Sequence, residues 1–147
     1  MEKMKMGILG SGGIAHTMAN TVKQMADVEL YAVGARTLEK AQSFAEEFGM
    51  PKAYGSYEEL AADPELDLVY VATPHSHHYP HVKLLLEHGK NVLCEKAFTV
   101  NADQARELFQ MAEEKKLLLT EAIWTRYIPI QKTLNEVIES GAIGKVH

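Results

Sequence analysis

The chain has a single cysteine, Cys94, in 147 residues. One thiol excludes an internal disulfide and suits a reducing compartment. Cys94 sits in an apolar run, so a buried, inert thiol is expected. No apolar stretch approaches the roughly 18 residues that a membrane span needs, and no charged leader with an apolar core is present. Basic residues fall short of acidic ones, 15 against 20, for a net charge of −5. That argues against a nucleic-acid binder, which carries a basic face, but leaves room for a local basic pocket. Repeats and low-complexity tracts are lacking. What remains is 46% hydrophobic and 24% charged, the balance of a globular domain large enough to bury a core. Together these features point to a cytoplasmic protein that binds neither membrane nor nucleic acid.

The chain alternates strand-like and helix-like patterns. Residues 4–9 predict a strand and residues 13–25 a helix. Val28–Ala35 is a second strand, followed by a helix that Thr37 caps and that Gly49 and Pro51 stop. Its apolar positions Ala41, Phe44, Ala45 and Phe48 keep helical spacing. Ala53-Tyr54 is a short third strand, and Ser56-x-x-Glu59 is a capping box. Leu66–Thr73 is a near-continuous apolar run, the pattern of a strand covered on both faces. A helix over His77–His88, a strand over Asn91–Lys96, a helix from Asn101 and a strand over Leu117–Ala122 follow. Strands separated by helices predict an α/β fold with a doubly wound parallel sheet. Six strands complete two mononucleotide-binding halves, so residues 1–122 form one dinucleotide-binding domain. Residues 123–147 then hold a junction helix, roughly Pro129–Ser140, and the start of a further strand at Ile143–Val146. A second domain is therefore expected beyond this chain.

In such a sheet the ligand lies beyond the carboxyl ends of the strands. The first end carries Gly10-Ser11-Gly12-Gly13-Ile14-Ala15, a G-x-G-x-x-A turn from strand to helix. Gly10 permits the tight turn, Gly12 lets the backbone approach a pyrophosphate, and Ala15 allows close helix packing. The second end reads Ala35-Arg36-Thr37. No acid is there to hold a ribose 2′-hydroxyl, whereas Arg36 suits a 2′-phosphate and can stack on adenine. Lys40 lies one turn on. NADP is favoured over NAD. The fourth end, Thr73-Pro74-His75-Ser76-His77-His78, is expected to form a polar loop over the cofactor, with His78 bonding at the next helix start. His77 and His81 are taken as solvated, and no metal is expected, since no cysteine or carboxylate joins the histidines. At the fifth end Glu95 and Lys96 alternate in direction. One can brace the sheet while the other faces the crevice, and a lysine there can donate to a substrate oxygen as hydride moves. A plain salt bridge is the structural alternative. Trp124 and Arg126, at the sixth end, either flank the nicotinamide or anchor a domain junction.

These strand ends together resemble the glucose-fructose oxidoreductase / inositol dehydrogenase / rhizopine-catabolism (Gfo/Idh/MocA) oxidoreductase family. The resemblance runs through the glycine turn, Ala35-Arg36, Thr73-Pro74-x-x-x-His78, Gly89-Lys90-x-Val92-x-Cys94-Glu95-Lys96 and Glu121-Ala122-x-Trp124-x-Arg126. Pro51–Leu60 and Glu121–Arg126 are similar to the branch of NADP-dependent dihydrodiol dehydrogenases and D-xylose 1-dehydrogenases. The resemblance implies an N-terminal Rossmann domain and a second α/β domain that carries the substrate pocket and a homo-oligomer contact. It also implies hydride exchange with a sugar, polyol or cyclic diol, and a catalytic role for Lys96. Ala97 stands where the family has proline, which relaxes the backbone, since proline alone fixes φ. Two other readings remain: a non-catalytic dinucleotide-binding regulatory module, and another enzyme class on this fold such as a methyltransferase.

Overall fold

A computed structural model describes residues 3–146. Six strands pair in parallel in the spatial order β3-β2-β1-β4-β5-β6. They are β1 (Met4–Leu9), β2 (Val28–Gly34), β3 (Lys52–Tyr54), β4 (Leu68–Val71), β5 (Asn91–Cys94) and β6 (Leu119–Glu121). Between and after them run α1 (Gly13–Val22), α2 (Leu38–Phe48), α3 (Tyr57–Ala62), α4 (His78–Glu87), α5 (Ala102–Lys115) and α6 (Ile130–Glu139). This is the doubly wound α/β fold that the alternating pattern predicts.

Register explains the two cores. Ile8 pairs with Val33 on one side and Tyr70 on the other. Paired residues of parallel strands point to one face, and all three belong to the cluster that α1 and α2 cover through Ala15, Ala19, Phe44 and Phe48. Leu9 pairs with Val71 one residue on, and both belong to the opposite cluster, closed by Leu60, Leu85, Leu86 and Leu108 of α3, α4 and α5. Local signals set the helix starts. Thr37, Ser56 and Asn101 accept the N–H groups of Lys40, Glu59 and Gln104, and Gly49 ends α2 in the left-handed conformation.

The structure corrects several boundaries. The apolar run Leu66–Thr73 is a strand only over four residues, because its ladder reaches no further than Met6–Leu9 of β1. The fifth strand likewise ends at Cys94, opposite Val71. The first helix stops at Val22, and α4 starts at His78 behind a single 3-10 turn, His75–His77. Ile143–Val146 forms no strand. Residues 141–143 turn, with Gly144 N–H donating to Gly141 O, and no ladder takes up the segment. Met1, Glu2 and His147 lie outside the described residues. Helix α6 buries none of its residues, and Trp124, Tyr127, Ile130 and Leu134 are exposed. Together they make an exposed apolar patch, while Ile128 is half-buried. No helix among the described residues is long and apolar enough to cross a membrane.

One buried charge fastens the edge of the sheet. Asp63, at the end of α3, accepts the Tyr54 hydroxyl at 2.8 Å, Lys52 Nζ at 3.1 Å and Glu65 N–H at 3.0 Å. Its backbone carbonyl takes Lys90 Nζ. Burial pushes the Asp63 carboxyl up, but the Glu65 N–H, Tyr54 and Lys52 outweigh it and hold the group below the usual carboxylate range. A group with a depressed folded value stabilises the fold above its unfolded pKa and loses that contribution as pH falls through the folded one. Asp63→Ala is expected to cost about 2–3 kcal/mol at pH 7, the scale of charge-assisted hydrogen bonds. Thermal unfolding should show that deficit shrink as pH falls below about 4. An unchanged melting temperature at pH 7 would contradict this role.

Candidate active site

The carboxyl end of β1 opens into a cleft of about 670 Å³. Gly10, Ser11, Gly12, Gly13, Ile14, Arg36, Thr73 and Pro74 line it. So do His16, Lys40, Ser43, Glu47, Tyr57, His77 and His81. It lies over β1 and β4, where the sheet's winding reverses, the place where open α/β sheets bind ligands.

The glycine turn is built for close approach. Gly10 has φ +108, and a Cβ there would lie 3.0 Å from Ala72 O. At Gly12 and Gly13 a Cβ would meet nothing within 4 Å. Both line the cleft, so their backbone lies open to an approaching ligand. Helix α1 also starts differently from α2, α3 and α5. No side chain caps it, so its first N–H groups and its positive dipole end are left for an anion. The bare turn and uncapped helix start fit a pyrophosphate.

Arg36 follows the buried Ala35, whose N–H donates to Tyr54 O, and precedes Thr37, the cap of α2. Backbone on both sides of it is therefore fixed. The Arg36 guanidinium has no hydrogen-bond or ion-pair partner among the described residues, and Lys40 borders the same cleft. The cleft thus presents two cations near the second strand end, where the sequence offers no acid. Across it stands a histidine wall. His81 Nδ1 lies 2.9 Å from Thr73 Oγ1, its ring meets Tyr57 edge-on at 4.6 Å and stacks with His77 at 5.8 Å. Burial pushes the His81 ring down to about 4. His81 is half-buried and packed, which corrects the expectation of a solvated side chain.

The fifth strand end separates two neighbours. Glu95 is 7% exposed, and its oxygens accept the Tyr70 hydroxyl at 2.6 Å and the Lys96 N–H at 3.0 Å. Lys96 is exposed, and its ammonium has no partner among the described residues. The pair is therefore not a mutual salt bridge: the acid braces the sheet and the lysine is left for solvent or ligand. The Lys96–Ala97 peptide is cis. Lys96 stands two strand spacings from the glycine turn, about 10 Å, outside the cleft wall itself. Cys94, just before, is fully buried, and burial pushes its thiol up to about 12, so it is inert at neutral pH.

Several residues singled out at the strand ends do not line this cleft. His78 is fully buried, with Nδ1 2.8 Å from Ala97 O and Nε2 2.9 Å from Thr73 O. It ties the loop after β4 to the loop after β5 and presents no free atom to a ligand, and Glu95 is likewise spent inside the wall. Ala35 and Thr37 hold Arg36 rather than line the cleft. His75 is exposed beside His78, and Trp124 and Arg126 form an exposed 3-10 turn beyond β6, away from this cleft. Conversely, His16, Ser43, Glu47 and Tyr57 line the cleft without having been singled out in the sequence. Lys40, Ser43 and Glu47 are spaced three and four apart on α2, so helical phase from Lys40 would have found them. His16 lies one turn into α1, with Nδ1 2.9 Å from Gly12 O and Nε2 3.3 Å from Glu47. No three His, Cys, Asp or Glu are grouped to hold a metal ion among the described residues.

Sheet order, switch-point cleft and uncapped glycine turn are those of a dinucleotide-binding Rossmann domain. The chain belongs to the oxidoreductase family with an NAD-binding Rossmann fold (GFO_IDH_MocA), which matches residues 4–123. It is 48% identical to D-xylose 1-dehydrogenase (NADP(+)) of Hypocrea jecorina, over 97% of this chain and 40% of that protein. It is 44% identical to mouse trans-1,2-dihydrobenzene-1,2-diol dehydrogenase, over 96% of this chain and 43% of that one. A 3-ketoreductase from Actinomadura kijaniata, solved in complex with NADP, superposes with a TM-score of 0.92 at 29% identity, over 98% of this chain and 46% of the other. The chain thus spans less than half the length of these relatives.

Proposed function

We propose that this domain binds NADP in preference to NAD and serves an oxidoreductase acting on a sugar, polyol or cyclic diol. The observation that carries the reading is one cleft holding both an uncapped glycine turn and the unpartnered Arg36, with the unpartnered Lys96 just beyond the carboxyl end of β5 on the same sheet edge. Gly10–Ile14 and the start of α1 would hold the pyrophosphate, and Arg36 with Lys40 the 2′-phosphate. Thr73 and Pro74 would border the path between the two halves. The bound dinucleotide supplies the hydride acceptor or donor. Lys96 would hydrogen-bond the substrate oxygen; as the alcohol becomes a carbonyl, the ammonium would pass one proton to a group of the second domain and take up the proton that the oxygen loses. D-xylose and trans-dihydrodiols are candidates because the relatives that resemble this chain are named for them.

A second domain after residue 122, with residues 123–147 as junction, would cover the exposed face of α6 and Trp124. It would carry the rest of the substrate pocket, the second proton-transferring group and a homo-oligomer contact. A cytoplasmic location fits the single buried thiol. Initial rates of NADPH formation with NADP and D-xylose or trans-dihydrobenzenediol test the reading. Turnover with NADP preferred is expected. NADPH binding with no turnover of any sugar, polyol or diol would favour the regulatory-module alternative.

A further inference from the structure

We propose that Tyr70 is a positioning residue for Lys96, acting through the carboxylate of Glu95. The inference rests on the reading of Lys96 given above. Tyr70 lies on β4 opposite Leu93 of β5. Glu95 follows Leu93 by two residues and so leaves the strand on the same face, about 6–7 Å further along. That is the reach of a tyrosine side chain, and the Tyr70 hydroxyl donates to Glu95 Oε1 at 2.6 Å. The other oxygen, Oε2, accepts the Lys96 N–H at 3.0 Å. Glu95 N–H donates in turn to Val71 O at 3.1 Å, the residue after Tyr70. A closed ring of contacts therefore runs from β4 through Glu95 to the backbone of Lys96.

Each member is placed at a cost that packing alone would not require. Tyr70 is 1% exposed within an otherwise apolar cluster, where phenylalanine would pack without needing a partner. Glu95 is buried with no cation within ion-pair distance among the described residues. A carboxylate in such a place is tolerated only when its oxygens are met, and the two donors meet them. Burial and the neighbouring Glu95 carboxylate both push the Tyr70 phenol up, so it stays protonated and keeps donating. Without the Tyr70 proton, Glu95 keeps only one donor and is free to turn. The Lys96 N–H then loses a fixed acceptor, and the exposed ammonium loses its fixed root. A second fastener, Phe98 N–H to Glu121 Oε1 at 2.9 Å, holds the far side of the loop, so loss of Tyr70 loosens Lys96 without releasing the whole segment.

The test is Tyr70→Phe in the full-length protein, which removes one oxygen atom. With NADP and D-xylose, kcat is expected to fall about 10- to 100-fold, the scale of a misplaced catalytic group. The dissociation constant for NADPH should stay within about twofold, because the glycine turn and Arg36 are untouched. In a Glu95→Ala background, Tyr70→Phe should cost no further turnover, since a residue acting through Glu95 has nothing left to act on. A kcat within twofold of the wild type, or equal losses in kcat and NADPH affinity, would overturn the assignment. Amide hydrogen exchange gives a reading independent of turnover. The Lys96 amide should be protected in the wild type and exchange faster in Tyr70→Phe, with strand β1 unchanged. Unprotected exchange in the wild type, or no change in the variant, would also overturn it. A wild type that turns over no sugar or diol would defeat the dehydrogenase reading instead, and the exchange comparison would then decide the clamp.

Discussion

Replacing Lys96 by methionine should lower kcat by about a thousandfold, within the range for loss of a positioned proton-transferring group. NADPH affinity should hardly move. The structure supplies the reason for that split. The Lys96 side chain is exposed and has no partner among the described residues, while its backbone N–H alone is used, by Glu95. Removing the ammonium therefore breaks no internal contact. Surface changes of this kind alter stability by about 0.5 kcal/mol or less, so a lost rate cannot be blamed on unfolding. Steady-state rates with NADP and a turned-over substrate, together with thermal unfolding, check both halves. A melting temperature lowered by many degrees would mean that Lys96 is structural. A kcat near wild type would mean that another group moves the proton.

Arg36→Ala should weaken NADPH binding by about 1.5–3 kcal/mol, the scale of charge-assisted hydrogen bonds. That corresponds to roughly 10- to 150-fold in the dissociation constant. NADH, which lacks the 2′-phosphate, should be little affected. Arg36 is held by Ala35 and Thr37 on either side, and its own head is unpartnered, so the variant loses a ligand contact and not a fold contact. Lys40 remains in the cleft and keeps part of the discrimination. Equal losses for both cofactors would show that Arg36 stacks on the adenine without touching the 2′-phosphate.

Much of the site was legible because a parallel sheet puts its ligands at strand ends. The glycine turn and Arg36, which line the cleft, and Lys96, which lies outside its wall, were singled out by reading only those ends. Alternation also limited Glu95 and Lys96 to one brace and one free group, but parity does not say which is which. The answer came from Tyr70, a partner 25 residues away in sequence that only strand register brings close. His78 was expected to bond at the next helix start, but its partners, carbonyls from two separate loops, are set by the fold and not by local sequence. His16, Ser43 and Glu47 were overlooked because each is ordinary as a helix residue, and they become cleft residues only when α1 and α2 pack side by side over the first half of the sheet. Strand ends shifted because a ladder stops where its partner stops, whatever the apolar run continues to do.

The cleft at the end of β1 is the proposed NADP site. A titration of this chain with NADPH and with NADH, followed by nicotinamide fluorescence, tests it most directly. Saturable binding of NADPH and distinctly weaker binding of NADH are expected. Binding of neither, or a preference for NADH, would contradict it.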